Sequence, residues 1–266
     1  MAPPTESPST VTEKYMRIFV TRNKLGDAAV DEQIELFRST PSVLLRHEVV
    51  YALGQMQNAY AASFLTSVLE DANEHPITRH EAAEALGALG APEHLKVLLQ
   101  FSSNTNAPPE VAETCSLAVD RITHKISKGA CACDKNVSIA YQNAVAHGDA
   151  VQQVELTPEE RSGIYVSVDP APALEATSLS ELRALLLDES ASLFERYRAM
   201  FALRDQGTAA AALALCDGFQ AQSALFKHEI AFVLGQLEDP CTVDALSKVS
   251  CSVATAQVRL SLASKR

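Results

Sequence analysis

Apolar residues recur along this chain at the three- and four-residue spacing of amphipathic helices, in blocks of about ten to fifteen residues. Turn signals such as Asn58-Ala59 and Gly90-Ala91-Pro92 separate the blocks. No apolar/polar alternation runs long enough to predict a sheet. The blocks pair, predicting helix pairs near 12–37, 43–70, 77–101 and 108–126, and again near 178–216 and 223–249. The expected fold class is all-α.

Internal repetition sets the architecture. Arg46-His47-Glu48-Val49-Val50-Tyr51-Ala52-Leu53-Gly54 returns 33 residues later as Arg79-His80-Glu81-Ala82-Ala83-Glu84-Ala85-Leu86-Gly87, the period of a paired-helix repeat. A longer period overlies it: Ser42 to Asn58 matches Ser223 to Asp239 at an offset of 181, with seven identities in seventeen positions. Tyr15 to Arg22 (YMRIFVTR) matches Tyr197 to Arg204 (YRAMFALR) at an offset of 182. The reading is an α-solenoid in two related halves, each repeat burying its apolar stripe against its neighbours.

Residues 127–177 break that rhythm, with Gly129, Gly148, Gly163, Pro158, Pro170 and Pro172 among mixed polar residues, and are expected to form a long, largely unstructured linker. The domain reading is a disordered 1–11, an N-terminal half at 12–126, the linker at 127–177 and a C-terminal half at 178–266.

Composition narrows the function classes. With 22 Lys+Arg against 33 Asp+Glu the formal net charge is −11, which argues against nucleic acid and suits a cationic partner. The start has neither a basic nor an apolar signal region, and no stretch approaches the roughly 20 apolar residues that span a bilayer. No membrane contact and a cytoplasmic location are expected. The six cysteines do not read as a disulfide framework, and Cys131-Ala132-Cys133 lacks the usual zinc spacing.

The chemistry candidates are three His-Glu pairs. With Leu44 as origin and about 100° per residue, His47, Glu48, Tyr51, Gly54 and Gln55 share one arc of their helix. Leu45, Val49, Val50, Ala52, Leu53 and Met56 fall on the other, packed side. Gly54 lies two turns beyond His47 and is read as leaving space beneath the imidazole. The H-E-x5-G pattern recurs as His80-Glu81 with Gly87 and His228-Glu229 with Gly235. In any single copy a histidine that caps or hydrogen-bonds within its repeat explains the pattern. Three copies favour a metal site, because a solenoid sets equivalent residues side by side, and His with Glu from facing helices is a ligand set of iron and manganese centres. His75, His94, His124 and His147 lack the repetition and are read as surface or turn residues.

The residues also carry a family resemblance. LLRHEVVYALGQMQNA, TRHEAAEALGALGAPE, VAETCSLAV, YVSVDPAPA, LLLDESASLFERYRAMFALR and ALFKHEIAFVLGQL resemble the deoxyhypusine hydroxylases, iron-dependent monooxygenases built of HEAT repeats. The similarity covers most of residues 12–125 and 163–240, and SVDPAP and FERYRAMFALR are not general HEAT features.

The resemblance implies HEAT-like helical hairpins and a non-haem di-iron centre, two Fe(2+) per chain, that hydroxylates the deoxyhypusine side chain of translation initiation factor 5A to hypusine. It implies molecular oxygen and an electron donor as further partners, and a monomer. Carried over to this sequence, the metal-associated residues are His47, Glu48, His80, Glu81, His228 and Glu229. Among them His47, His80 and Glu81 would ligate one iron and His228 the other, while Glu48 and Glu229 would act in catalysis by pairing with the substrate's ammonium groups. A fourth pair is expected about 33 residues past His228, where the sequence has Leu260 and Ser261. The second iron site is therefore expected to be incomplete and turnover poor. The alternative is a non-catalytic HEAT-repeat scaffold that binds a protein partner.

Overall fold

The computed structural model describes residues 8–129 and 167–251. They fall in two compact units, divided after Glu155. The first unit holds α1 (Pro8–Arg22), α2 (Asp27–Arg38), α3 (Val43–Gln55), α4 (Ala62–Glu70), α5 (Pro76–Leu89), α6 (Leu95–Ser102) and α7 (Pro109–Gly129). The second holds α8 (Leu179–Leu187), α9 (Leu193–Gln206), α10 (Ala209–Asp217), α11 (Ala224–Leu237) and α12 (Val243–Cys251). The all-α expectation holds: no strand occurs among the described residues. Nor is any of their helices long and apolar enough to cross a membrane.

In the first unit α1, α3, α5 and α7 pack in succession as one layer, and α2, α4 and α6 fill the other. Local chemistry fixes the helix ends. The Ser42 hydroxyl accepts from the Leu45 N–H to start α3, and His75 Nδ1 accepts from the Ile77 N–H ahead of Pro76 to start α5. Gly90, at φ 71°, ends α5 in the left-handed conformation. Between the layers Leu45, Val49, Val50, Leu53, Leu65, Leu69, Leu86, Leu95 and Leu98 lose essentially all exposure. Each such aliphatic side chain contributes roughly 1.5–3 kcal/mol.

The glycine of the H-E-x5-G pattern has a different task from the one expected. A Cβ at Gly54 would stand 2.9 Å from both Cα and Cβ of Ala85, and one at Gly87 would stand 2.8 Å from Cβ of Ala118. The glycines let α3 meet α5 and α5 meet α7 at backbone distance. They do not open space under the histidine.

An arginine ties successive helices. Arg79 Nε donates to the Leu69 carbonyl at the end of α4 (2.9 Å), and Arg196 Nε to the Leu186 carbonyl at the end of α8 (3.1 Å). Each satisfies a helix C-terminal acceptor that has no partner within its own helix.

Three boundaries differ from the sequence expectation. The pair near 108–126 is one 21-residue helix, α7. The pair near 178–216 is three helices, of which α9 and α10 correspond to α1 and α2 by the 182-residue offset and α8 is additional. α1 begins at Pro8, inside the stretch expected to be disordered, because proline suits a first helical turn.

The 127–177 segment also differs where it is described. α7 runs through its first residues to Gly129, and residues 167–177 form a strap docked on α9. Arg204 holds both Asp169 carboxylate oxygens, at 2.9 and 2.7 Å. Arg198 Nε donates to the Pro172 carbonyl, and the Leu174 N–H donates to the Arg198 carbonyl, each at 3.2 Å. The SVDPAP motif is thereby explained as a docking sequence. Cys131, Cys133, His147, Leu260 and Ser261 lie outside the described residues, while Cys115, Cys216 and Cys241 are free thiols.

Candidate metal centre

α3 and α5 deliver the first two His-Glu pairs to one place. His47 and Glu48 sit in the second turn of α3, and His80 and Glu81 in the second turn of α5. All four are buried, with exposures of 8%, 6%, 1% and 5%. The close packing of the two helices brings the imidazole rings of His47 and His80 to a centroid separation of 5.8 Å. His47 Nε2 stands 3.1 Å from Glu81 Oε2 on the neighbouring helix, and its Nδ1 stands 3.6 Å from Glu48 Oε1.

Charge governs this cluster. Burial works against a charged imidazole at His47, but the Glu81 and Glu48 carboxylates outweigh it and raise its pKa from 6.5 to about 10. A proton thus neutralises part of the buried negative charge. Tyr51, one turn beyond His47, is pushed well above its ordinary value by burial, against the pull of Arg22 and reinforced by Glu81, Glu48 and Glu84. Its phenol stays neutral.

A residue that the His-Glu pattern omitted joins the group. One donor atom each from His80, Glu81 and Glu84 lie within 4.8 Å of one another, a spacing that can hold a metal ion. The signal was present as His80-Glu81-x-x-Glu84, since residues four apart share a helix face. It went unread because the acid is not repeated: Tyr51 and Phe232 stand at the equivalent positions. Imidazole nitrogen and carboxylate oxygen suit iron or manganese better than softer thiophilic metals or calcium, so the residues fit a non-haem iron.

The third pair, His228 and Glu229, lies on α11 in the second unit, with both side chains 5% exposed. The remaining histidines divide. His75 caps α5 and His124 is half-buried on α7, while His94, read as a surface or turn residue, lies in the turn before α6 and is buried there. Burial lowers its pKa, against the opposing charge of Glu93.

The chain matches HEAT repeats over residues 30–117. It is 44% identical to deoxyhypusine hydroxylase of Gallus gallus over 234 residues, 88% of this chain and 68% of that protein. With the enzyme of Drosophila melanogaster it shares 40% over 237 residues, 89% of this chain and 68% of the relative. The solved structure of human deoxyhypusine hydroxylase in complex with glycerol is similar with a TM-score of 0.80 at 39% identity, covering 98% of this chain and 81% of that one. Identity at this level over most of the sequence, on a helical-repeat frame that gathers buried His-Glu pairs, means that the chain belongs to the deoxyhypusine hydroxylase family.

Proposed function

We propose that this protein hydroxylates the deoxyhypusine side chain of translation initiation factor 5A, as a cytoplasmic monomer using non-haem iron, molecular oxygen and an electron donor. The observation that carries the reading is the convergence of His47, His80 and Glu81 from adjacent repeats in a buried site. Bound ferrous iron would supply the redox chemistry that activates oxygen for insertion into an unactivated C–H bond.

The protein's own residues do the rest. His47, His80 and Glu81 would hold one iron in the first unit, and His228 would be a ligand of the other. Glu48 faces Nδ1 of His47, which orients that imidazole in the way a carboxylate neighbour orients a metal-binding histidine. Glu48 and Glu229 also supply buried negative charge that would pair with the substrate's ammonium groups. Burial of His47, Glu48, His80 and Glu81 would limit water around the first unit's site.

The test is incubation of the purified chain, ferrous iron and a reductant in air with factor 5A bearing deoxyhypusine, read by mass spectrometry. Slow gain of one oxygen atom at the modified lysine, in keeping with the incomplete second iron site and lost in a variant with all three histidines replaced by alanine, is the expected result. Binding of the factor without conversion would favour the scaffold reading instead.

A further inference from the structure

Seating Glu81 against His47 takes two constraints. The Gly54–Ala85 contact sets how far apart α3 and α5 stand. A second constraint must set how far along its axis each helix sits. At about 1.5 Å of rise per residue, a one-residue slip of α5 would carry Glu81 about half of the 3.1 Å that separates its Oε2 from His47 Nε2.

A buried carboxylate outside the His-Glu pattern fixes that register. Glu74, in the turn between α4 and α5, has a side chain only 4% exposed. Its Oε2 pairs with Nη2 of Arg46 at 2.9 Å, and its Oε1 accepts from the His75 N–H at 2.9 Å. Arg46 is the residue before His47 in α3, and its guanidinium lies over the Phe37 ring of α2, 4.1 Å from the centroid. His75 caps α5, five residues ahead of His80. One carboxylate thus joins the first turn of α3 to the start of α5. Losing Arg46 would leave that buried charge without its cation.

The arrangement recurs wherever a His-Glu helix begins. In the second unit Arg196 Nη1 and Nη2 on α9 donate to the two Glu189 carboxylate oxygens, each at 3.0 Å. Glu189 Oε1 accepts from the Gln222 N–H at 3.2 Å, one residue ahead of the Ser223 cap of α11. Ahead of α3 the tie is a lysine, with Lys14 Nζ on α1 donating to the Ser39 carbonyl at 2.9 Å. A cation on one helix therefore anchors the start of the next helix that carries a pair.

We propose that Glu74 is a positioning residue for the first unit's metal centre: held between Arg46 and the His75 N–H, it fixes the register of α5 against α3 and so the placing of Glu81 beside His47. The proposal rests on the reading that this unit binds iron.

The experiment titrates the full chain, stripped of metal, with Co(2+), whose visible ligand-field bands report the geometry of the donors. Glu74→Gln keeps the shape and an acceptor oxygen but loses the charge that holds Arg46. It should weaken Co(2+) binding by about 10–100-fold, the range of an outer-shell partner, and alter the bands. Arg46→Met should do the same, and the double variant should lose no more than either alone, because both act through one contact. Leu98→Ala, a cavity in the core at α6, should lower the urea midpoint and leave affinity and bands unchanged. Wild-type affinity and bands in Glu74→Gln, with both lost in His80→Ala, would overturn the role of Glu74 and leave the iron reading intact. If His80→Ala keeps both as well, the iron reading fails and the proposal with it. Equal changes in Leu98→Ala would also overturn the proposal, since loss of stability would then explain them. Circular dichroism establishes that each variant is folded, and should Glu74→Gln not fold, Arg46→Met decides: wild-type affinity and bands there overturn the proposal.

Discussion

Nε2 of His47 on α3 lies 3.1 Å from Oε2 of Glu81 on α5, so two successive repeats meet through the atoms that would bind a cation. Removing either side chain breaks a contact inside the site and between repeats at once. His47→Ala and His80→Ala should each sharply lower iron content, measured by elemental analysis after anaerobic loading with ferrous iron. His94→Ala should retain it, because His94 belongs to the turn before α6. Equal losses in all three variants would show that the site had been misplaced.

The backbone contact at Gly54 makes a second expectation. Gly54→Ala puts a methyl 2.9 Å from Ala85, and overpacking of this kind costs about 1–3 kcal/mol. The variant should lose stability in urea and also bind iron more weakly, since the same contact sets the separation of His47 and His80. Adding Ala85→Gly removes the Cβ contact but leaves the Ala85 Cα at 2.9 Å, so the double variant should recover little of the iron binding. Unchanged stability and iron binding in Gly54→Ala would mean that the contact is not what spaces the two helices.

The strap on α9 depends on one guanidinium. Arg204 is 3% exposed at its side chain and pairs with Asp169 and Asp205 at 2.7 and 2.9 Å. Burial raises the Asp205 pKa, with Arg204 opposing and Asp169 adding to the rise. Arg204→Met leaves those carboxylates without their cation and should cost about 2–4 kcal/mol. Limited proteolysis should then cut within 167–177 sooner than in the wild type. An unchanged cleavage pattern would mean that the strap is held elsewhere.

Acid sensitivity offers a test remote from the metal. Hydrogen bonds from Lys24 and Arg17 hold the Glu32 carboxyl down at about 2, from 4.5. A lowered folded-state pKa contributes stability above the unfolded value, and that contribution disappears as pH falls from about 4.5 toward 2. The group is partly solvated, with 26% side-chain exposure, so its contribution should stay below about 1 kcal/mol. The stability gap between wild type and Glu32→Gln should narrow across that window and shrink in high salt. A gap that widens on acidification would contradict the ion-pair assignment.

Much of this architecture was legible because helical repetition writes itself twice into a sequence, once as an apolar period and once as a recurrence of whole helices. The 33-residue return of Arg-His-Glu located α3 and α5, and the offset of 181 located α11. What escaped was whatever occurs once. Glu84 stands outside the repeated pattern, α8 has no counterpart at the 182-residue offset, and the strap reads as loop because its order comes from Arg198 and Arg204, some 26 and 35 residues away. The role of Gly54 was misread for a related reason. A helical wheel places residues on a face without saying which neighbour reaches it, and the neighbour proved to be the backbone of α5.

The two arginine ties have a bearing on how such a site arises. Arg79 and Arg196 each reach a carbonyl ten residues back, and the residue that follows is His80 in one helix and Tyr197 in the other, both essentially unexposed. One joint therefore serves a repeat that offers a metal donor and a repeat that offers a phenol. The clasp between helices is indifferent to the side chain it presents, so metal chemistry can be written onto this frame, or erased from it, one position at a time without rebuilding the hinge that holds it.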